Sequence, residues 1–513
     1  MSSFSVLVGI LAATLILSRW WSWWRAPPSL AKVPGPPAPS LFLGHALDLD
    51  RAPIGTRHNK WAREYGPTYR LSGPFWEPRL IVGDPKGLNH VLHNQDFERN
   101  SSDRVALELF FGRGLFCAEG EEHKKMRKYL NVPFTNQSIQ EVSHVFFDLV
   151  ERLKDKWEQK LEGGSLVFDV TSEVHRLTLD AISMTMFMYD ISTSNSDIPT
   201  LLHKITDSPA GKLSDIILSA FASRFPIILR LPSPMKRWCD DLRSSLGAVA
   251  RNVLSGKGAA GMHAKLLNSL SESEVAPDVA VAQIIGILFA GSETTANVIT
   301  ECFYEMARNP RIQTRLRTEL IEFEVAHGRK PTYEDLANSS LPYLEAVTRE
   351  TMRTKAVLTE ISRAAVKDTV VPLQIPLKGT NIYEIEVQAG TLIDIPVRDG
   401  INRNPLIWGE DADVFNPDRW IKADMLPKAV DWIRAQGHVL TFGDGPKVCL
   451  GRSFALVEFK TVVSTIVRNF TFAEVEGLDL DFYHVGGNTI KPMVRGREQE
   501  GAQLPLRVSV VSD

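Results

Sequence analysis

Residues 442–451 read FGDGPKVCLG, and the stretch that follows (RSFALVEFKTVVSTIV) has the apolar spacing of a helix. The glycines in this segment permit a tight loop with an exposed backbone. Cys449 therefore lies just before a helix start, where amide donors and the helix dipole favour a thiolate. A lone cysteine is usually an inert core residue. Here the glycine-rich loop, the helix start and the nearby cation of Lys447 together indicate a metal or haem-iron site with a single thiolate ligand.

The longest helical pattern lies upstream of this loop. It starts at Pro277 and Asp278, which suit a first helical turn, and runs to about Pro310, a length of roughly 48 Å. Its apolar centre (IIGILFA, residues 284–290) predicts burial, but the polar run GSETT (291–295) follows at once. A threonine hydroxyl bonded back to a carbonyl beside a glycine can open a helix and hold a ligand or water. A fully hydrogen-bonded buried polar cluster explains these residues equally well.

The composition excludes several classes of protein. The 513 residues are 44% hydrophobic and 23% charged, as in ordinary globular proteins. Lys and Arg total 58 against 61 Asp and Glu, so the net charge of -3 gives no electrostatic reason to expect a nucleic-acid partner. The four cysteines form no CxxC pair, which argues against a disulfide framework and a structural zinc site and favours a reducing compartment.

The N-terminus predicts a membrane anchor. Residues 4–17 (FSVLVGILAATLIL) are apolar, and continuing through the tryptophan pairs to Trp24 gives about 20 residues, enough to span a bilayer. We interpret residues 1–25 as a single-pass transmembrane helix. A cleaved signal peptide is the alternative, but the segment has no basic n-region and no clear cleavage site. The basic residues follow the span, so the body is expected in the cytoplasm. The proline-rich residues 26–40, including VPGPP, predict a stiff extended hinge.

The remaining chain, residues 41–513, is interpreted as one catalytic domain without internal repeats. Residues 136–350 have successive helical patterns, so the predicted fold is mainly α with small β-sheets (α+β). The β-prone runs that predict these sheets near both ends of the chain are residues 69–82, 364–371, 382–387, 391–397 and 504–511. Residues 256–261 (GKGAAG) match GxGxxG, but helical sequence precedes them, so a flexible loop is predicted rather than a dinucleotide site.

Four motifs carry a family resemblance. Residues 442–451 resemble the haem loop (FxxGxRxCxG) of the cytochrome P-450 superfamily of haem-thiolate monooxygenases. The other three segments, in the family's order, are AGSETT (290–295), similar to the oxygen-binding part of its central helix, ETMR (350–353), its ExxR helix, and FNPDRW (415–420), which supplies a second arginine. The resemblance extends to the anchor and hinge of the microsomal members. It implies the cytochrome P-450 fold with an N-terminal membrane anchor helix, and a cluster of Glu350, Arg353 and Arg419.

The resemblance also implies a cofactor and its ligands. Haem b would be bound through Cys449, whose thiolate would be the axial iron ligand and favour O–O cleavage. The other cofactor-binding positions would be Phe442, Lys447, His123, Arg127 and Arg363. Lys447 replaces the usual arginine and keeps its charge without the planar fork, and His123 replaces the usual tryptophan. The family's prolines after ExxR are missing at residues 354–358, so that cavity wall is expected to differ. Glu293 and Thr294 would be the catalytic residues that relay protons.

The implied activity is insertion of one oxygen atom from O2 into a lipophilic compound, such as a terpenoid, sterol, fatty or polycyclic aromatic molecule. The pocket is expected along residues 105–116, 284–294 and 357–361. The chain resembles fungal members of secondary or xenobiotic metabolism.

The sequence has no credible flavin or nicotinamide site, so electrons are expected from a membrane-bound NADPH-dependent reductase. The basic run Lys124, Lys125, Arg127 and Lys128 is a candidate docking surface, with an ordinary solvated helix face as the alternative. The expected location is the endoplasmic reticulum membrane. Two other functions stay open: an electron-independent haem-thiolate isomerase or dehydratase, and a non-catalytic haem-binding membrane protein.

Overall fold

The structure is a computed structural model that describes residues 30–40, 42–191, 217–218, 220–222, 225–255, 259–422, 425–485 and 489–511. The predicted anchor over residues 1–25 and the first part of the hinge lie outside the described residues.

Helices form most of the described chain, as the sequence predicts. The α-helices are α1 (Ala46–Arg51), α2 (Thr56–Tyr65), α3 (Pro85–His93), α4 (Ser101–Phe111), α5 (Gly120–Leu130), α6 (Asn136–Leu161), α7 (Val170–Phe187), α8 (Pro234–Leu254), α9 (Gly261–Glu272), α10 (Pro277–Arg308), α11 (Pro310–His327), α12 (Tyr333–Ala337), α13 (Pro342–Thr354), α14 (Pro405–Trp408) and α15 (Arg452–Asn469). Helix α8 ends at Leu254 and α9 begins at Gly261, so a helix rather than a strand precedes the GxGxxG match, as the sequence predicts. Residues 256–258 of that match lie outside the described residues.

Within the described residues, the strands form four small sheets. They are β1 (Thr68–Ser72), β2 (Pro78–Val82), β3 (Phe97–Glu98), β4 (Ser165–Asp169), β5 (Glu360–Ala365), β6 (Thr369–Pro372), β7 (Glu384–Val387), β8 (Leu392–Pro396), β9 (Phe470–Ala473), β10 (Leu480–Val485), β11 (Thr489–Val494) and β12 (Pro505–Val510). The largest has the order β1-β2-β8-β5-β3, in which β2 and β8 are parallel and the other pairs antiparallel. This sheet pairs three strands from the N-terminal part of the described chain, β1, β2 and β3, with β5 and β8, which lie far downstream in the sequence.

The remaining sheets are β4-β12-β9, β6-β7 and β10-β11. Strand β4 lies within residues 136–350, between two of the successive helices predicted there, and the sequence analysis did not predict it. The strand is short and mostly exposed, with only Phe168 buried, so its sequence has little hydrophobic alternation to identify it. Its partner β12 lies at the other end of the chain. Asp169 ends the strand and caps α7 by accepting from the N–H groups of Thr171 and Ser172.

The central helix α10 covers Pro277–Arg308, in agreement with the predicted bounds. Every residue from 282 to 307 is buried except Ala290, Gly291 and Thr294, which are partly exposed. Among the described residues, α10 is long and apolar enough to cross a membrane, but 67% of its most apolar window is buried inside the body. It is therefore the core helix of the fold, with one accessible stretch at its centre.

The described part of the hinge packs on the body. Leu30 and Val33 are buried in the main hydrophobic core. The Pro34 carbonyl accepts a hydrogen bond from the Arg70 amide of β1 at 2.9 Å. A side chain at Gly35 would collide with the Arg70 carbonyl, which explains why glycine is needed at this close approach.

Candidate functional site

The cysteine loop is fixed by short backbone contacts. The Cys449 amide donates to the Phe442 carbonyl at 2.7 Å, which closes the loop across its two ends. Gly445 has φ +69°, and a Cβ there would lie 2.4 Å from the Leu92 carbonyl oxygen at the end of α3. Only glycine meets both requirements. Helix α15 begins at Arg452, so Cys449 lies just before a helix start, as predicted.

The Cys449 thiol is inside the body and open on one side. The residue is exposed, yet the surrounding protein raises the pKa of the thiol by burial. The Gly451 amide and the charges of Arg127 and Arg452 act in the opposite direction but do not outweigh burial. The Gly451 amide at the helix start therefore favours the thiolate, the direction expected from the sequence, but desolvation opposes it and is the larger effect. A bound cation is what would turn this thiol into a thiolate.

Helix α5 carries His123 and Arg127 one turn apart, and both face inward. Arg127 donates to the Val448 carbonyl next to the cysteine. His123 is buried, and burial together with the charges of Lys447 and Arg127 lowers its pKa to about 4. Lys124, Lys125 and Lys128 lie on the opposite, exposed face, so the predicted basic run contributes three surface cations while Arg127 belongs to the interior.

Lys447 and Arg363 form a cationic cluster with Arg127, next to His123, which is neutral near pH 7 because of its lowered pKa. The Lys447 ammonium is 2.7 Å from a Glu119 oxygen and donates to the Ala118 carbonyl at 3.0 Å. Arg363, on β5, is buried, and burial and the charge of nearby Arg99 lower its pKa to about 10. Burial also lowers the pKa of Lys447, against the opposing effect of Glu119. These positive groups therefore crowd one another.

Arg99 is a member of this cluster that the sequence analysis missed. It follows β3 directly, and its charge lowers the pKa values of His123, Lys447 and Arg363. Its Nε is buried and has no hydrogen-bond partner among the described residues. The only sequence signal is its place just before α4.

Haem fits this set of donors. The thiol is a soft ligand with one open side, and the neighbouring cluster has more cations than Glu119 can balance. The carboxylates of a porphyrin would supply the missing negative charge and an acceptor for the buried Arg99 Nε. Groups of three or more His, Cys, Asp or Glu that could hold a metal ion do not occur within the described residues, so the thiol is the metal-ligating candidate.

Ser292, Glu293 and Thr294 in the polar run of α10 all have hydrogen-bond or ion-pair partners. The Thr294 hydroxyl donates to the Ala290 carbonyl at 2.7 Å, which is the predicted back-bond, and α10 continues through it as one helix. Glu293 is buried, and its oxygens lie 3.2 Å from His175 Nδ1 and 2.8 Å from Lys491 Nζ. Burial would raise the pKa of Glu293, but these two groups lower it to about 2. The two predicted catalytic residues therefore have different surroundings. Thr294 is partly exposed, whereas Glu293 is buried and forms ion pairs with His175 and Lys491.

The ExxR residues form the expected cluster. Glu350 accepts from Arg353 at 2.7 and 2.9 Å, and Arg419 Nε lies 3.5 Å from it. The Asn416 amide and the Trp420 indole N–H also donate to Glu350, each at 2.9 Å. Arg353 further donates to the carbonyls of Asn402, Ala412 and Val414. The cluster fixes α13 to the chain that leads into the cysteine loop.

Two of the three predicted pocket segments meet. The Phe111 ring lies 5.1 Å from Phe289 of α10 and 5.2 Å from Phe116, measured between centroids. A Cβ at Gly286 would lie 2.7 Å from the Phe116 ring, so glycine lets the segment pack directly on α10. In the third segment, Val357 is buried and Leu358 is exposed. The wall over the centre of α10 is therefore aromatic and apolar.

Comparisons with known proteins show which proteins this chain resembles. The family model described as Cytochrome P450 matches residues 34–484. The chain is 31% identical to cytochrome P450 monooxygenase claW of Ampulloclitocybe clavipes over 97% of each chain. It is 32% identical to claU of the same fungus over 92% of each chain. It is also 32% identical to cytochrome P450 monooxygenase 128 of Postia placenta, over 93% of this chain and 92% of the relative. The matched range contains the site residues from His123 to Cys449 and ends before Lys491.

Proposed function

The chain belongs to the cytochrome P450 family and is a monooxygenase, and from this premise we propose that it oxidises a lipophilic small molecule with electrons from an NADPH-dependent reductase. Membership of the family implies haem with a cysteine thiolate as iron ligand, and we propose that this haem is haem b, bound through Cys449. The observation that carries the proposal is the open thiol of Cys449 beside a cluster of cations. Bound there, the thiolate-ligated haem supplies the chemistry that activates O2 and oxidises unactivated C–H bonds.

The residues of the cationic cluster have the role of holding the cofactor. Arg127, Arg363 and Lys447 would bind its carboxylates, and Arg99 and His123 would add donors. Phe442 closes the cysteine loop through its carbonyl, which fixes the direction of the thiol. Because Lys447 is already paired with Glu119, it contributes charge rather than the two-pronged contact of an arginine.

Glu293 and Thr294 would hold and pass protons. Thr294 lies on the accessible stretch of α10, and its hydroxyl can rotate from the Ala290 carbonyl towards a reacting group. Glu293 precedes it and is connected to titratable side chains on other elements. The aromatic wall of Phe111, Phe116 and Phe289 would bind apolar substrates and exclude water.

The body is one catalytic domain in this proposal, tethered by residues 1–25 to the endoplasmic reticulum membrane and facing the cytoplasm. The apolar run and the basic residues that follow it support this location. The exposed Lys124, Lys125 and Lys128 on α5 support docking of an acidic reductase face. The low net charge supports no nucleic-acid partner.

Substitution of Cys449 tests the proposal. We expect Cys449→Ala to abolish the red-shifted Soret band of the reduced carbonyl complex, whereas Cys239→Ala, on α8, keeps it. Wild-type protein with reductase and NADPH should convert members of a lipophilic compound panel to products heavier by one oxygen atom, detected by mass spectrometry. Turnover without NADPH would instead establish an isomerase or dehydratase. Haem binding with neither product nor a substrate-induced spin shift would establish a non-catalytic protein.

A further inference from the structure

Three structural elements converge on the carboxylate of Glu293. His175 comes from α7, Lys491 from β11, and Asn297 lies one turn along α10. Lys491 Nζ is 2.8 Å from Oε1 and His175 Nδ1 is 3.2 Å from Oε2. The sequence analysis found none of these three partners, and the proposed function gives none of them a role of its own.

Two side chains contact the nitrogens of the His175 ring. Its Nε2 lies 3.1 Å from the Asn297 side-chain oxygen, and its Nδ1 faces Glu293. The Asn297 amide nitrogen faces Glu293 Oε1 at 3.5 Å, so reversing the amide would set two oxygens against each other. Both ring nitrogens therefore face acceptors. These contacts are complete only when both nitrogens carry a proton, that is, when His175 is an imidazolium.

Exposure distinguishes the two cations. The Lys491 side chain is 1% exposed and that of Glu293 5%, whereas the His175 side chain is 20% exposed. A buried carboxylate needs one cation for neutrality, and the interior Lys491 already supplies it. His175 is a second cation on the same carboxylate, and it is the one that solvent reaches.

Other charged groups near this site are engaged elsewhere. Within the described part of the chain, His175 and Lys491 are the charged groups that affect Glu293. On α7, Glu173 pairs with Lys156 at 2.6 Å and Arg176 lies 3.6 Å from Asp180. Thr178 donates to the Ser292 carbonyl at 2.9 Å and does not titrate near neutral pH. Protons that arrive at Glu293 from α7 must therefore come through His175.

We propose that His175 supplies protons from solvent to Glu293 while Lys491 remains a fixed counter-charge. This inference rests on the proposed monooxygenase function. In the step, the Nδ1–H bond of the imidazolium breaks and an O–H bond forms at Glu293 Oε2. A neutral imidazole remains, still donating from Nε2 to Asn297, and its Nδ1 is reprotonated from solvent, which reaches the partly exposed side chain. Glu293 then holds one proton next to Thr294. His175 acts through Glu293 and is a positioning residue.

The test compares His175→Gln with His327→Gln, a control on α11 away from the site. Glutamine can still hydrogen-bond to Glu293 but cannot carry an extra proton, so a merely structural role survives the change. We expect His175→Gln to keep the haem content, the unfolding temperature and the substrate-induced spin shift. The ratio of product to peroxide should fall about tenfold, less than the effect of removing a general acid because water can still reach Glu293 slowly. The product-to-peroxide ratio should decline with rising pH in the wild type and should not do so in His175→Gln.

A second measurement needs no turnover. The infrared difference spectrum of resting wild type minus His175→Gln should show imidazolium ring bands at neutral pH. Neutral imidazole bands there would overturn the inference, as would a variant with unchanged coupling and an unchanged pH profile. If wild type yields no product from any compound, the proposed function fails, and the infrared result still decides whether the charged histidine lies on Glu293.

Discussion

Three buried glutamates show how partners decide the state of a carboxyl group in this protein. Glu293 lies between two cations, which lower its pKa to about 2 despite burial. Glu350 accepts hydrogen bonds from Arg353, Asn416 and Trp420. Glu458, on α15, has neither oxygen hydrogen-bonded among the described residues, and burial raises its pKa far above the usual range. Glu458 is therefore a neutral acid, whereas the other two sit among positive or donor groups.

This contrast predicts opposite outcomes for one substitution at two sites. Glu350→Gln leaves the buried Arg353 without its counter-charge, whereas Arg419 keeps Asp411 at 2.8 Å, so we expect a loss of about 3–5 kcal/mol in unfolding free energy. Glu458→Gln exchanges one neutral side chain for another and should change that free energy by less than about 1 kcal/mol. Denaturant unfolding followed by circular dichroism measures both. Equal losses in the two variants would contradict the assignment of charge.

The candidate residues that the sequence predicted are those with local signals. Cys449 was found because its loop glycines and helix start are adjacent to it in the chain. His175, Lys491 and Arg99 were missed because their partners come from distant parts of the sequence, and each alone resembles an ordinary surface or loop residue. A buried lysine such as Lys491 has no local signature at all.

At the scale of elements, the contact between α7 and α10 positions the site. A Cβ at Gly291 would lie 2.6 Å from the Ile182 side chain of α7, so this glycine allows the two helices to approach closely. Helix α7 also carries His175, which reaches Glu293 two residues further along α10. The helix spacing and the proton path therefore depend on the same interface.

Gly291→Ala should push α7 away from α10. Overpacking of this kind lowers the unfolding free energy by about 1–3 kcal/mol, and we expect the product-to-peroxide ratio to fall with it because His175 moves off Glu293. Gly247→Ala is the matched control: its nearest neighbour is the flexible end of Arg251 at 3.4 Å, and α8 should gain helix propensity. Thermal unfolding and peroxide assays follow both variants. A stable, fully coupled Gly291→Ala enzyme would show that the close approach is dispensable.

Helices and strands could be predicted where the apolar spacing continues over many residues or where residues typical of an element boundary flank the segment. The bounds of α10 follow from Pro277 and from the apolar spacing that continues to Arg308. The strands β1, β2 and β12 follow from β-prone runs. Strand β4 and the pair β10–β11 could not be predicted, because short strands are defined by partners that pair with them and not by their own sequence.

At the scale of the whole molecule, buried ionisable groups predict a two-stage loss of stability in acid. Unfolded His123 binds a proton near pH 6.5 while the folded residue does so only near pH 4, so stability falls as pH drops between these values. Glu293, with a folded pKa of about 2, contributes stability above its unfolded value of 4.5, and this is lost as pH falls from 4.5 towards 2.

Thermal unfolding as a function of pH tests this profile in haem-free protein. We expect His123→Gln to remove the decline between pH 6.5 and 4 and to leave the lower one in place. Lys491→Met should reduce the lower decline, because Glu293 loses one of its cations. Bound haem should reduce the decline in stability between pH 6.5 and 4, because its anionic carboxylates would favour the protonated form of His123. An identical profile with and without haem would argue against carboxylates in the cationic cluster.

The junction between the proposed anchor and the body decides where the chain can be cut. Removing residues 1–25 deletes the apolar run and leaves Leu30 and Val33, which are 0% and 2% exposed, in the core. We expect this form to move from the membrane pellet to the supernatant with its Soret band and unfolding temperature unchanged. Removing residues 1–40 also deletes these two side chains and the hydrogen bond from Arg70 to Pro34, and loss of each buried aliphatic group costs about 2–5 kcal/mol. The longer deletion should therefore unfold at a markedly lower temperature. Equal stability of the two forms would mean that residues 30–34 are an independent tether, and retention of the shorter deletion in salt-washed membranes would mean that residues 1–25 are not the anchor.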